Sequence, residues 1–341
     1  MIEFGSDFHK CDDAFGIQTH FLQCPIRYYA NGRLPISALI YAQKWTRIWV
    51  PVYYCYDVVN HIMSTGIQVL FYDDYPLASN DDEIIRSLPF EDGDVLLRVN
   101  YFGLRDVRRN VNISVPVIED HTHSLISSWC IKSDADWCVA SIRKTIPVPA
   151  GGILWSPQNH SLPEQLSALP GCENMAKLRY WAMNLKANYL INGGEKDEFR
   201  DKFLFSEEII ESLDNSGMDA ISLEIIQNFD VQRWYNRKRE NWHILQRELC
   251  PKFNVVRSED AHELYQFSLL IYCNSKYERE ALRDYLIQNK VYPAILWKIP
   301  DKLEYSMALD FSDRMLSIHC DARYSIEDMI QLSHILNAYY D

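Results

Sequence analysis

The stretch that decides the fold is "ASIRKTIPVPAGG", Ala140 to Gly152. A lysine, Lys144, stands three residues after Ser141, between an apolar run and a pair of glycines. Upstream, "DWCVAS" (Asp136–Ser141) reads as a strand; downstream, "GGILW" (Gly151–Trp155) reads as another. The connection is short enough for a hairpin, which leaves an antiparallel pair here open as an alternative to a parallel one.

Outward from this stretch, strand-like and helix-like segments alternate. "RIWVPVY" (Arg47–Tyr53), "QVLFYD" (Gln68–Asp73), "DVLLRVNYF" (Asp94–Phe102) and "VPVIED" (Val115–Asp120) are rich in β-branched, aromatic and aliphatic residues. The last two are continuous apolar runs, which suits strands covered on both faces. "RLPISALIYAQKW" (Arg33–Trp45), preceded by Asn31-Gly32, and "YDVVNHIMSTG", ended by Gly66, carry a helical period. The alternation predicts an α/β fold with a mostly parallel sheet and right-handed crossovers.

From about Pro163 to Leu249 the pattern is mostly helical, broken near "NGGEKDE" and "DNSGMD". "VQRWYNRKRENWHILQRELC" reads as a long amphipathic helix whose basic run, Arg233 to Arg239, is a solvated face. A smaller unit follows: strand Tyr265–Cys273, helix "SKYEREALRDYLIQNK", strand "YPAIL", strand Arg314–Cys320, and a closing helix with Ser325 and Asp328 placed as an N-cap box. The expected division is a large domain over residues 1–249, with a helical connector, and a small C-terminal α/β domain over 250–341.

Bulk composition narrows the function. Of 341 residues, 48% are hydrophobic and 24% charged, which is ordinary for a globular protein with a large core. The formal net charge of -13 repels a phosphate backbone, so nucleic acid is not an expected partner. No apolar stretch approaches 18 residues, so no membrane span is expected. The start, "MIEFGSDFHKCDD", has neither a basic nor an apolar leader region, which points to a cytoplasmic protein. The nine cysteines form no CxxC pair and have mostly apolar or aromatic neighbours, as buried reduced thiols do. The 21 tyrosines and nine tryptophans read mostly as core and interface.

In open α/β sheets ligands gather at the carboxyl ends of strands. Asp120, ending the strand in "VIEDHTH", and Ser141 with Lys144 both fall there, and Asn31-Gly32-Arg33 opens a helix that can join them. A helix start at Gly32, Arg33 and Leu34 offers N–H groups to a phosphate, and Ser141 offers a hydroxyl. Asp120 can pair with a protonated heteroaromatic nitrogen, and Lys144 is an amine nucleophile. An amine, a carboxylate and a phosphate cradle are the parts that hold pyridoxal 5'-phosphate.

"VIEDHTHSL", followed about two dozen residues later by "ASIRKTIPVPAGGILW", resembles the core of the fold type I pyridoxal-phosphate enzymes, and within them the DegT/DnrJ/StrS aminotransferases. "RIWVPVYYCYDVV" and "NGRLPISALIYA" resemble that group's ring-packing and phosphate-binding stretches. The resemblance spans roughly residues 25–160, and the C-terminal part in outline. It implies that Lys144 forms the Schiff base and shuttles the proton, that Asp120 contacts the pyridine nitrogen, and that Ser141 and the Gly32–Arg33 loop hold the phosphate. Cys55 aligns with the group packing on the ring, with Tyr54 and Tyr56 beside it. His123 stands where the group usually has glutamine, near the phenolic oxygen; a histidine there is expected to vary in charge near neutral pH. The Ser141–Lys144 spacing of three is that of other fold type I branches. An arginine near the end of the small domain, Arg323, is the implied receptor of a substrate carboxylate. The implied activity is transfer of an amino group from an amino acid donor to a keto or aldehyde acceptor, including sugar-related ones, by a homodimer with active sites at the subunit interface. The same chemistry serves a lyase or dehydratase, and the same fold can serve a non-catalytic binding or regulatory protein.

Each residue also has a plainer reading. Lys144 alone is a loop lysine, Asp120 alone a turn former, Gly32 a turn glycine, Arg33 a helix-start surface charge. Arg314 and Arg323 alone are surface ion-pair formers. His121 and His123 have no third metal ligand at a recognisable spacing, so no metal is expected. Ser141-x-x-Lys144 also matches the serine acyl-enzyme pair, but the S-D-N and K-T-G partners of that site are absent.

Overall fold

The computed structural model describes residues 2–11, 24–258, 266–300 and 306–340. A two-residue strand β1 (Phe4–Gly5) and a strand β2 (Ile26–Tyr29) come first. Helices and strands then alternate: α1 (Leu34–Gln43), β3 (Arg47–Pro51), α2 (Tyr56–Ser64), β4 (Gln68–Tyr72), α3 (Asp81–Arg86), β5 (Asp94–Val99), β6 (Val117–Asp120), α4 (Ser128–Ile131), β7 (Trp137–Ala140) and β8 (Gly152–Trp155). β2 to β8 build one seven-stranded sheet in the order β2-β8-β7-β6-β5-β3-β4. Neighbours from β4 through β7 are parallel, while β8 is antiparallel to both β7 and β2. Of the two alternatives around Lys144 the hairpin is the one present, with Ala140 opposite Ile153 and Cys138 opposite Trp155. Every residue of β5, β6, β7 and β8 is buried, as the unbroken apolar runs require.

Two short helices deserve their sequence reasons because they place the site. α1 carries Pro35 in its first turn, where a missing N–H is harmless, and ends at Lys44 in the left-handed region with φ 59°. α2 starts at Cys55, which takes an extended conformation before it, and ends at Gly66 with φ 87°.

Four helices follow: α5 (Pro170–Asn192), α6 (Asp197–Ser212), α7 (Ala220–Gln227) and α8 (Val231–Glu248). The first break comes at Gly193 and Gly194, both with positive φ, and the next loop ends at Asp219, whose side chain caps α7 through Ser222 N–H. α8 is the expected amphipathic helix, but its basic run is not all solvated. Lys238 is 2% exposed, with Nζ 5.2 Å from the Tyr235 ring centre and 4.8 Å from that of Phe267. Burial lowers its pKa to about 8.

The C-terminal part holds β9 (Val255–Val256), β10 (Leu269–Tyr272), α9 (Lys276–Gln288), β11 (Val291–Tyr292), α10 (Ser306–Arg314), β12 (Met315–Ile318) and α11 (Ile326–Asn337). β9, β10 and β12 form an antiparallel sheet, while β11 pairs with β1 in parallel. Phe4 thereby joins the C-terminal core with Trp242, Leu269 and Leu316. The Ser325–Asp328 capping box is formed in both directions. Two expectations shift here. Arg314 closes helix α10 rather than opening a strand, and the strand predicted from Tyr265 is observed only from Leu269, Tyr265 lying outside the described residues.

Candidate active site

Three carboxyl-terminal features of the sheet and helix α1 open onto one cavity of about 460 Å³. β6 delivers Asp120, the turn after β7 delivers Ser141 and Lys144, and the loop before α1 delivers Gly32 and Arg33. His123, Cys55 and Arg323 line the same cavity, so all eight residues singled out in the sequence meet there.

Lys144 ends a single 3₁₀ turn, Ile142–Lys144. Its Nζ has no hydrogen bond or ion pair among the described residues. The side chain is exposed and lines the cavity. The adjacent Arg143 charge, and then burial, lower its pKa from an ordinary 10.5 to about 8. Arg143 is itself locked: its guanidinium grips Glu207 of α6 with Nη1–Oε2 3.1 Å and Nη2–Oε1 2.6 Å. Arg179 of α5 donates to the same Glu207 Oε2 at 2.9 Å. With two guanidinium groups beside it, the Glu207 carboxyl is held down at about 2. Replacing Arg143 with glutamine removes a cation and releases an anion, and both changes raise the Lys144 pKa. The pH midpoint of Lys144 modification by an amine reagent, read by peptide mapping, is expected near 8 in the wild type and at least one unit higher in the variant. Each unit lowers the neutral fraction about tenfold at pH 7.

Asp120 is 8% exposed. Oδ1 accepts the Thr122 N–H at 2.8 Å and Oδ2 accepts the Tyr54 hydroxyl at 2.6 Å. The turn-forming reading is met, one oxygen serving the turn while the other is held by Tyr54. Burial and the neighbouring carboxylate push the Tyr54 hydroxyl well above its usual range, so it stays a donor.

His123 corrects an expectation. Its charge does not vary near neutral pH, because burial and the Lys238 and Lys144 charges lower its pKa to about 3. Nδ1 accepts the Phe102 N–H at 3.1 Å, so the proton sits on Nε2. The ring is stacked at 5.1 Å on Trp297 and 4.7 Å on Phe102, with Phe267 at 4.5 Å. His121 points elsewhere. Its Nε2 meets Glu119 Oε2 at 3.1 Å, and Ser133 and Asn110 also donate to that carboxylate. Cys138 lies within the same buried cluster, a grouping that residue spacing did not reveal.

The loop at Gly32 is tight by necessity. A Cβ on Gly32 would lie 2.5 Å from the Ser141 Cβ, and one on Gly152 would lie 2.0 Å from the Asn31 carbonyl oxygen. The loop and the Lys144 hairpin therefore touch backbone to backbone. Fewer helix-start donors are open than the sequence suggested, because Asn31 Oδ1 takes the N–H of Arg33 at 3.2 Å and of Leu34 at 3.3 Å. The Gly32 N–H and the Ser141 hydroxyl have no partner among the described residues. Arg33 turns away: its Nη2 caps the end of α6 at the carbonyls of Ile210 (3.0 Å) and Glu211.

Cys55 lines the cavity with its thiol pKa raised by burial. Arg323 is committed rather than open. Nε and Nη2 hold Asp321 at 2.7 and 2.8 Å, Nη1 holds the Ser6 and Asp7 carbonyls, and the guanidinium lies 4.4 Å from the Phe8 ring centre. Residues that sequence reasoning missed are Arg179, Glu207, Trp297 and Asp7. One signal existed for Arg179: it stands in the buried stripe Met175, Ala176, Arg179, Ala182, Met183 of α5, where a solvated charge has no place.

No protein-family profile and no curated protein sequence matches the chain. Solved structures do. Spr1654 of Streptococcus pneumoniae, described as a sugar aminotransferase, superposes with a TM-score of 0.65 at 12% identity, covering 93% of this chain and 87% of its own. PseC of Helicobacter pylori, an aminotransferase of pseudoaminic acid biosynthesis, gives 0.65 at 13% identity over 98% of both chains. CalS13 of Micromonospora echinospora, a sugar aminotransferase, gives 0.59 at 14% identity over 92% of this chain and 87% of its own. The chain has the α/β fold of these aminotransferases.

Proposed function

We propose that this chain is a pyridoxal-phosphate-dependent aminotransferase that moves an amino group from an amino acid to a keto or aldehyde acceptor, the acceptor being sugar-related. One observation carries the reading: an unpaired amine with a pKa near 8 shares a cavity with a buried carboxylate and two unpartnered phosphate-type donors. The residues fit the cofactor. Ser141 and the Gly32 N–H would hold its phosphate, Asp120 its ring nitrogen, and His123 Nε2–H its phenolic oxygen, while Thr122 and Cys55 offer surfaces for the ring. When bound, pyridoxal phosphate supplies an electrophilic aldehyde and a ring that withdraws electrons from an attached amino acid.

The chain's own residues do the rest. Arg143 keeps a useful share of Lys144 neutral at pH 7 to 8, so the amine is nucleophilic, and once free it can take a proton from the substrate's α-carbon and return it. Asp120, with one oxygen steadied by Tyr54, would keep a proton on the ring nitrogen of the bound cofactor. His123 donates at every working pH because it stays neutral. The aromatic wall of Phe102, Phe267 and Trp297 excludes water around it.

The fold's neighbours include Spr1654 in forms with pyridoxal phosphate and with pyridoxamine phosphate, which supports the cofactor and the transamination half-reaction. The reading includes a homodimer, supported by the exposed apolar residues Trp181, Leu204 and Phe205 on α5 and α6. The test is spectroscopic. Full-length protein mixed with pyridoxal phosphate is expected to gain a visible or near-ultraviolet band, and an amino donor is expected to convert it to the pyridoxamine form, passing the nitrogen on when a sugar ketone is added. Elimination products without that conversion identify a lyase; protein that takes up no cofactor refutes the enzyme reading.

A further inference from the structure

The first residues cross the cavity as a strap. Upstream, β1 is paired with β11; downstream, the Lys10 N–H donates to the Met183 carbonyl of α5 at 3.1 Å. Ser6, Asp7 and Phe8, between these anchors, line the cavity. The strap's backbone is held independently of the Asp7 side chain. Lys186 Nζ and Arg323 Nη1 both donate to the Asp7 carbonyl oxygen, and Arg323 also to that of Ser6.

The Asp7 carboxylate does something separate: Oδ1 accepts from Arg179 Nη2 at 2.7 Å. The two partners are unequal. The Arg179 side chain is 9% exposed and part of the wall; that of Asp7 is 42% exposed, with solvent on one side. Arg179's other arm reaches Glu207, which already satisfies Arg143. With Asp7 turned out, two guanidinium groups share one carboxylate in a partly enclosed wall, and that surplus positive charge is best met by another carboxylate, bound through charge-assisted hydrogen bonds.

We propose that Asp7 is a built-in competitor, its carboxylate sitting in the Arg179 seat that a carboxylate of the amino acid donor takes when the site is in use. The strap thereby sets the affinity of the cavity for acidic ligands, and Arg179 is the residue that selects them. Naming the ligand as the donor rests on the aminotransferase reading; the seat itself does not.

The test uses full-length protein and glutarate, a dicarboxylate that has no amine and cannot react, with binding followed by calorimetry. Asp7→Asn is expected to bind glutarate about tenfold more tightly than wild type, and glutarate is expected to raise its melting temperature more than that of wild type. Arg179→Gln is expected to lose binding, and Arg179→Lys to recover part of it. Asp7→Ser gives a second measure of the empty seat. Glutarate binding to the Asp7 variants that is no tighter than to wild type, or binding that survives in Arg179→Gln, overturns the proposal. The cofactor band, read in the same preparations, reports on the aminotransferase reading separately. A missing band with the expected glutarate pattern leaves the seat standing and removes only the donor as its ligand; a normal band without that pattern removes the seat.

Discussion

Lys144→Ala is expected to abolish the cofactor band and to lower turnover on the order of 10⁴-fold or more, because in the proposed reaction one side chain would serve as both nucleophile and proton carrier. Collapse of the fold does not explain such a loss. The Lys144 pKa falls from 10.5 in the unfolded chain to about 8 in the folded one, so between those values the unfolded chain binds more protons. Stability contributed through this group therefore rises with pH across about 8 to 10.5, and below 8 the charged amine beside Arg143 is a burden. The alanine variant is expected to melt no lower than wild type at pH 7, and any advantage it has should fade as pH climbs through that window. Thermal melts at pH 7 and pH 10 beside the absorption spectrum check both halves. A retained band in the variant removes Lys144 from the chemistry.

Asp120→Asn is expected to separate capture of the cofactor from its use. The amide oxygen can still accept the Thr122 N–H, so the turn after β6 survives, and Lys144 still takes up the aldehyde. The fixed negative charge proposed to keep a proton on the ring nitrogen is gone. Turnover is expected to fall roughly 10²–10⁴-fold, the range for losing a positioned proton-handling group, while the band remains, shifted in wavelength or in its response to pH. Single-turnover conversion by a saturating amino donor is the measurement. An unaltered rate shows that the carboxylate has no electronic role, and loss of cofactor uptake makes Asp120 a binding group alone.

Much of this was legible before any coordinates. The unbroken apolar runs of β5 and β6 suit strands covered on both sides, and the short Ser141–Gly152 connection left a tight return open beside a parallel crossover. Both follow from backbone hydrogen bonding and local pattern. Asp120, Ser141 and Lys144 were legible because strand ends put them at one edge of the sheet. What pattern did not reveal depends on tertiary neighbours. Lys238 sits in a run of charges that looks solvated, yet its own helix turns it onto Tyr235 and Phe267. The neutrality of His123 comes from burial and two lysines, one of them 115 positions away in the chain. Arg33 and Arg323 carried the right chemistry for anions, but α6 carbonyls and Asp321 had already claimed them.

The contact of Gly152 against the Asn31 carbonyl has a consequence for how this protein can change. A loop near the start of the chain and the hairpin bearing the reactive amine share one mould, and neither can gain a side chain at its meeting point without reshaping the other. Grafting either segment alone from a distant relative should therefore yield misfit, whereas exchanging both together should preserve the catalytic pocket's outline.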